Sequence, residues 1–250
     1  MTEIKKEIYR SYDEYGLIQV FDDGNQRQLV FDSGDQQSAM LKAEPSKLLF
    51  EYTRAMALVL IFKSKPSSML LLGLGGGSLV RYMAQQYSDA HIVAVELRPA
   101  VIEVAHRYFD LPRMANLDVI EGEAESYLRA NEPNTYSIIF SDIYNASGVN
   151  ELQLQESYIA MCYECLADDG WLVLNCWREH RADRNLDSVL RERFPLIYSH
   201  TSQSGNWVIF AGKSKSNSYS LSKLRKLTKK LSEDSGFSFQ STLKRVVGLA

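Results

Sequence analysis

Four residues, Gln203-Ser204-Gly205-Asn206, separate the last two strand-like runs of this chain, 197–202 and 207–212. No other feature limits the fold as much. A parallel crossover needs a dozen or more residues, so these two strands must pair antiparallel, as a hairpin. The earlier runs are spaced differently. Apolar stretches at 69–72, 91–96, 117–121, 136–142 and 171–177 alternate with helix-spaced stretches at 78–87, 99–109, 124–130 and 153–166. That alternation predicts βαβ units and a parallel sheet with helices on both faces. The chain therefore reads as an α/β protein with a doubly wound sheet and an antiparallel terminal hairpin.

Two shorter regions flank the alternation. Runs at 17–21 and 28–31 surround Asp22-Asp23-Gly24-Asn25, a turn cluster that predicts a small N-terminal β-hairpin domain. Residues 46–62 are apolar at helical spacing (Leu48, Leu49, Tyr52, Met56, Val59, Leu60), with Pro45 placed to open the helix. At the far end Leu221, Leu224, Leu227 and Leu231 form a helical stripe, with Lys223, Arg225, Lys226, Lys229 and Lys230 around it. A helix docked on the body or on a second subunit is expected there. The organisation read from the sequence is a hairpin region at 1–45, an α/β domain at 46–213 and a basic helical extension at 214–250.

Charge and composition narrow the partners. Residues 213–250 carry nine Lys/Arg against two Asp/Glu, a net +7, which leaves −10 for residues 1–212. An acidic body suits a small cationic substrate. No aromatic residue interleaves the Lys/Arg cluster at 223–230, so nucleic acid is not the expected partner. The longest apolar run, 55–62, is far shorter than the roughly 20 residues a membrane span needs. Three cysteines and no secretory leader pattern fit a reducing, cytoplasmic setting. Cys162 and Cys165 fall within a helix pattern and read as core residues. His91, His106, His180 and His200 show no ligand spacing, so no metal is expected.

Leu70-Leu71-Leu72 runs into Gly73-Leu74-Gly75-Gly76-Gly77 and then a helix. Such a loop permits positive φ and close approach of a ligand to the backbone, and the helix start offers free N–H groups. A lone glycine loop is often only structural. Here a second strand ends in Ala94-Val95-Glu96, about twenty residues on, where a carboxylate accepts ribose hydroxyls. Together these point to nucleoside binding. Glu123, in Glu121-Gly122-Glu123 after the third strand, either accepts from an adenine amine or supplies charge to the following helix start.

Residues 136–145, Tyr-Ser-Ile-Ile-Phe-Ser-Asp-Ile-Tyr-Asn, end the fourth strand in Asp142, beside the point where a doubly wound sheet binds ligands. Asp142 is a candidate base or acceptor-orienting group; capping of the next loop is the plainer role. Tyr144 either lines an acceptor pocket or packs, and Asn145 can orient a substrate through its amide.

Taken together, these segments resemble the spermidine synthases, the polyamine aminopropyltransferases, over about residues 12–212. The parallel sheet closed by a hairpin is similar to the class I methyltransferase fold. Gly73-Leu74-Gly75-Gly76-Gly77-Ser78-Leu79-Val80-Arg81 resembles the family's Gly-Gly-Gly-Asp-Gly-Gly-x-x-Arg, and Glu96 matches its ribose-binding acid. Gly122-Glu123 is similar to the Gly-Asp that reads adenine. Asp32-Ser33-Gly34-Asp35-Gln36 looks like Asp-Gly-x-x-Gln, whose Gln contacts the ligand. Residues 136–145 resemble Tyr-Asp-Val-Ile-Ile-x-Asp-x-x-Asp. The resemblance implies a homodimeric transferase that moves an aminopropyl group from decarboxylated S-adenosylmethionine to a small-molecule amine. It implies Gln36, Gly73, Gly75, Gly77, Glu96 and Glu123 at the nucleoside, Asp142 in catalysis, and Tyr52, Tyr144 and Asn145 at the acceptor.

The departures from the family pattern have physical consequences. The second acid of Asp-x-x-Asp is Asn145, which can hydrogen-bond an amine but can neither take its proton nor balance its charge. The family's Tyr-His-Glu is Tyr52-Thr53-Arg54, and Arg54 would repel a diamine if it faced the pocket. The loop Asp is Gly76, which removes a charge that would repel the carboxylate of intact S-adenosylmethionine. Three readings follow: aminopropyl transfer, methyl transfer from intact S-adenosylmethionine, and nucleoside binding without chemistry.

Overall fold

A computed structural model describes residues 5–32, 34, 36–145, 148–215 and 219–248. It opens with an antiparallel sheet of four strands in sequential order, β1 (Lys6–Asp13), β2 (Gly16–Asp22), β3 (Gln26–Phe31) and β4 (Gln36–Leu41). The central pair is the expected hairpin. β1 is partly exposed and polar, and β4 opens on Gln36 and Gln37 before three buried residues in a row, so neither shows a clear apolar alternation in the sequence. β4 carries a bulge: Ser38 lies opposite Leu29 and Gln36 opposite Val30, which leaves Gln37 as the extra residue.

The first helix, α1 (Glu51–Ala57), starts later than expected and passes into a 3₁₀ turn at Leu58–Ile61. Arg54 accounts for the late start. Its guanidinium takes the carbonyls of Leu48 (2.7 Å) and Leu49 (3.2 Å), leaving those residues outside the helix.

The main sheet follows the alternation. Its elements in chain order are β5 (Ser68–Leu72), α2 (Ser78–Gln86), β6 (His91–Glu96), α3 (Pro99–Tyr108), β7 (Leu117–Glu121), α4 (Ala124–Ala130) and β8 (Tyr136–Ser141). A two-stranded ribbon, β9 (Tyr144–Asn145) and β10 (Gly148–Val149), precedes α5 (Glu156–Cys165), β11 (Leu166–Trp177), α6 (Arg184–Arg193), β12 (Leu196–Thr201) and β13 (Asn206–Gly212). The strand order β12-β13-β11-β8-β5-β6-β7 is parallel from β11 to β7 and antiparallel around β13. This is the methyltransferase-like α/β fold that the spacing predicts. The chain winds outward from β5 to β7 and returns to β8 beside β5. The β5/β8 junction is therefore the switch point, where such sheets bind ligands.

Alternate residues of each strand feed two cores. Leu71, Ile138 and Val173 face one side, with α1 and α2; Leu70, Ile139 and Leu172 face the other, with α5 and α6. A third core joins the N-terminal sheet to α3, through Ile18, Val20, Leu29 and Met40 against Val101, Val104 and Phe109. These residues are fully buried, and each contributes roughly 2 kcal/mol by transfer from water. The N-terminal sheet is thus fixed over the C-terminal ends of β5 and β6.

The extension after β13 docks on the body. Leu224 and Leu231 of α7 (Leu221–Ser235) enter the first core, while Leu221 stays exposed. A short α8 (Gln240–Leu243) and β14 (Val246–Gly248) follow, and β14 adds to the sheet edge at β12. Among the described residues no helix is long and apolar enough to cross a membrane.

Candidate active site

Three turns at the switch point enclose a cleft of about 790 Å³, within the range of small-molecule sites. The first is the glycine loop. Gly73 has φ +91°, and a Cβ there would stand 2.3 Å from the Asp142 carbonyl oxygen. Only glycine lets the loop pass so close to the end of β8. Gly73 and Gly75 line the cleft. Gly77, also at positive φ, opens α2 but is buried behind the loop, where a Cβ would meet Leu111. Arg81 fastens the loop from below: buried, it donates to the carbonyls of Pro45 (2.8 Å), Phe109 (2.6 Å) and Gly76. Burial lowers its pKa to about 10.

The second turn follows β6. The Glu96 carboxylate accepts from the backbone N–H of Leu74 (3.0 Å), Gly75 (3.4 Å) and Arg98 (3.0 Å). Burial pushes its pKa up, and those three donors oppose the shift. Glu96 therefore couples the glycine loop to the β6 turn. Arg98 then reaches back to the N-terminal sheet, with two bonds to the Asp13 carboxylate (3.0 and 2.8 Å) and one to the Gly16 carbonyl (2.9 Å). Its guanidinium lies 4.6 Å from the centre of the Phe31 ring. This clamp holds Tyr15 and Phe31 at the cleft wall. Glu123, at the start of α4, is an exposed part of the same wall, with Gly122 and Glu125.

The third turn follows β8. Asp142 accepts from Asn175 Nδ2 at 2.7 Å and from the Tyr52 hydroxyl. Burial pushes its carboxyl up to about 6; the two hydrogen bonds pull the other way. Burial and the neighbouring Asp142 charge hold the Tyr52 hydroxyl protonated. Asn175 is fully buried at the end of β11 and receives Asn206 Nδ2 at 3.2 Å, which also reaches the Tyr144 hydroxyl at 3.3 Å. Beneath them Gln153 donates to the carbonyls of Asn175 and Ile143 and accepts from Ser141, whose hydroxyl also meets Tyr158. Asp142 is thus held by a connected polar network, not left to solvent.

Among the expected site residues, the fold brings Gly73, Gly75, Glu96, Glu123, Tyr52, Asp142 and Tyr144 to one cavity. Gln36 is exposed and off the wall, and Gln37 lines it instead. The bulge in β4 is the cause, because one extra residue reverses which side chains face inward. Gly77 supports the turn without lining the cavity. The backbone of Asn145 lies in β9, and its side chain lies outside the described residues. Arg54 turns away from the cleft, toward the Phe237 ring at 5.6 Å, so it does not repel a cation there. Gly76 is buried: its N–H donates to Ser38 Oγ (2.8 Å), and a Cβ would meet Ser38 and Phe109. Reasoning from sequence missed Ser38, Arg98 and the hydrogen bond from Asn175 to Asp142. A lone Asn closing an apolar strand, and an Arg two residues after Glu96, are the signals that mark two of them; nothing in the sequence marks the bulge.

The chain is similar to known proteins across this region. A family model described as a methyltransferase domain matches residues 69–170. A polyamine aminopropyltransferase of Neisseria meningitidis serogroup A is 30% identical over 232 residues, covering 90% of this chain and 87% of that protein. A probable spermidine synthase from Corynebacterium glutamicum superposes with a TM-score of 0.76 at 20% identity, covering 92% of this chain and 87% of that one. Human methyltransferase-like protein 13, solved in complex with SAH, superposes with a TM-score of 0.68 at 20% identity, over 75% of this chain and 93% of that one.

Proposed function

The chain belongs to the polyamine aminopropyltransferase family, and from that premise we propose that it moves an aminopropyl group from an adenosyl sulfonium donor to an amine. The observation that carries the proposal is the position of Asp142. It shares one cavity with Gly73, Gly75 and Glu96, and its carboxyl sits at about 6, the range suited to a general base near neutral pH. In this reading the donor's ribose lies at Glu96 and its adenine at Glu123. The acceptor lies against Asp142, Tyr52 and Tyr144, with Asn145 at the β9 turn. The acceptor nitrogen attacks the carbon beside S⁺, the C–S bond breaks, and the electron pair leaves with a neutral thioether. Asp142 takes the proton from the attacking nitrogen. Holding the partners together supplies much of the rate. Residues 1–45 would roof the donor, 46–213 would carry the chemistry, and 214–250 would buttress the sheet edge.

A second reading, methyl transfer from intact S-adenosylmethionine, draws on one observation. Gly76 stands where the family's loop carries an Asp, and the polar side chain packed against it is the neutral Ser38. Incubation with either donor and a panel of amines, followed by mass spectrometry, separates the two. Gain of an aminopropyl group supports the first reading, and gain of methyl alone refutes it. Calorimetry with both donors tests Gly76 separately; strict preference for the decarboxylated form removes the second reading.

A further inference from the structure

We infer that the acceptor end of the cleft takes an amine with a single positive charge on an apolar body, not a diamine. The inference rests on the aminopropyl-transfer reading and specifies its acceptor.

The charge distribution along the cavity wall carries the argument. Four carboxylates line it among the described residues: Glu96, Glu123, Glu125 and Asp142. The first three belong to the β6 and β7 turns, at the donor end. Asp142 stands alone at the β8 turn. The same wall includes Ile143, Tyr144, Asn150 and Leu152; residues 143–150 contain no acid, and the next one, Glu151, is exposed and is not part of the wall. The two aliphatic side chains are partly buried and pack on the core.

The neutral polar groups behind this wall are engaged with one another. Asn175 donates to Asp142, Asn206 donates to Asn175 and Tyr144, and Asn150 Oδ1 accepts from Leu152 N at 3.0 Å. A diamine brings two ammonium groups. One is deprotonated for attack, and its proton neutralises Asp142. The second would then face Ile143 and Leu152 with no carboxylate to balance it, and burying an unpaired charge is strongly disfavoured. A monoamine avoids this conflict. Its ammonium pairs with Asp142 on binding, the aromatic rings of Tyr52 and Tyr144 flank the one cation, and its hydrocarbon body covers the aliphatic wall.

The test is a competition. The full chain is given decarboxylated S-adenosylmethionine with equal concentrations of 1,4-diaminobutane, n-pentylamine and phenethylamine, and the aminopropylated products are quantified by mass spectrometry. A monoamine product at least tenfold above the diamine product supports the inference. Equal or greater diamine product overturns it while leaving aminopropyl transfer intact. No aminopropyl product from any amine, with the donor still binding by calorimetry, overturns the transfer reading itself and this inference with it. The variant Asn150→Asp adds a carboxylate to the wall and keeps the oxygen that Leu152 N needs. It should raise the relative diamine yield at least tenfold; a ratio that does not move rejects the charge count as the cause.

Discussion

Replacing Asp142 with Asn should remove activity and raise stability, and the gain should depend on pH. In the folded chain the Asp142 carboxyl holds its proton up to about 6, against 3.8 for a free aspartate. Between those values the folded state binds more protons than the unfolded one. Stability therefore falls as pH rises through that window, and the loss is complete above about pH 7. The difference corresponds to roughly 1 kcal/mol at pH 4.5 and roughly 3 kcal/mol at pH 8. Asparagine cannot ionise, and its amide oxygen can still accept from Asn175 Nδ2, so the variant escapes this cost and keeps the contact. Urea or thermal unfolding of both proteins from pH 4.5 to 8 measures it. The variant should gain on the wild type by roughly 2 kcal/mol across that range. At pH 8 its Tm should lie roughly 6–12 °C higher, at 2–4 °C per kcal/mol for a chain of this size. Donor affinity should stay nearly unchanged and turnover should vanish. A stability difference that is flat with pH, or a variant weaker than wild type at pH 8, would refute the buried-charge argument; normal turnover would take Asp142 out of the chemistry.

Three further substitutions probe the surroundings. Asn175→Ala removes a hydrogen bond to a charged group, about 1.5–3 kcal/mol, so the acid limb of the kcat/KM profile should move from about 6 upward by about one to two pH units; an unmoved limb contradicts the link. Gly73→Ala combines φ +91° with a Cβ 2.3 Å from the Asp142 carbonyl, and calorimetry should show donor binding lost together with a lowered Tm. Arg98→Ala strips Asp13 of its partner and opens the clamp, at about 3 kcal/mol in urea unfolding with weaker donor binding; a loss below about 1 kcal/mol would mean the clamp acts as a surface pair.

Much of the fold was legible because spacing and sidedness agree. The bounds of β6, β7 and α4 match the sequence reading, and the four-residue gap forced the β12–β13 hairpin. The elements that escaped notice are those whose partners lie far away in sequence. β1 is a polar edge strand, β4 is an edge strand whose alternation a bulge breaks, α6 has an N-cap in Asp183 but a largely charged surface, and β14 is three residues long. The site divides the same way. Gly73, Glu96 and Asp142 sit at strand ends, where topology alone assigns them to the switch point. Gln37 owes its place to a bulge, and Arg54's direction was settled by two carbonyls. Neither follows from residue type or period.

The anchoring of the glycine loop also bears on how this chain can change over generations. Arg81 grips Pro45, Gly76 and Phe109 only through their main-chain oxygens, and every amino acid supplies such an oxygen. A mutation at any of the three leaves that grip without a chemical veto; only size and backbone angle restrain it. The foundation of the glycine loop can therefore stay put while neighbouring side chains drift. Position 76 itself has less freedom, because a Cβ there would press on Ser38 and Phe109.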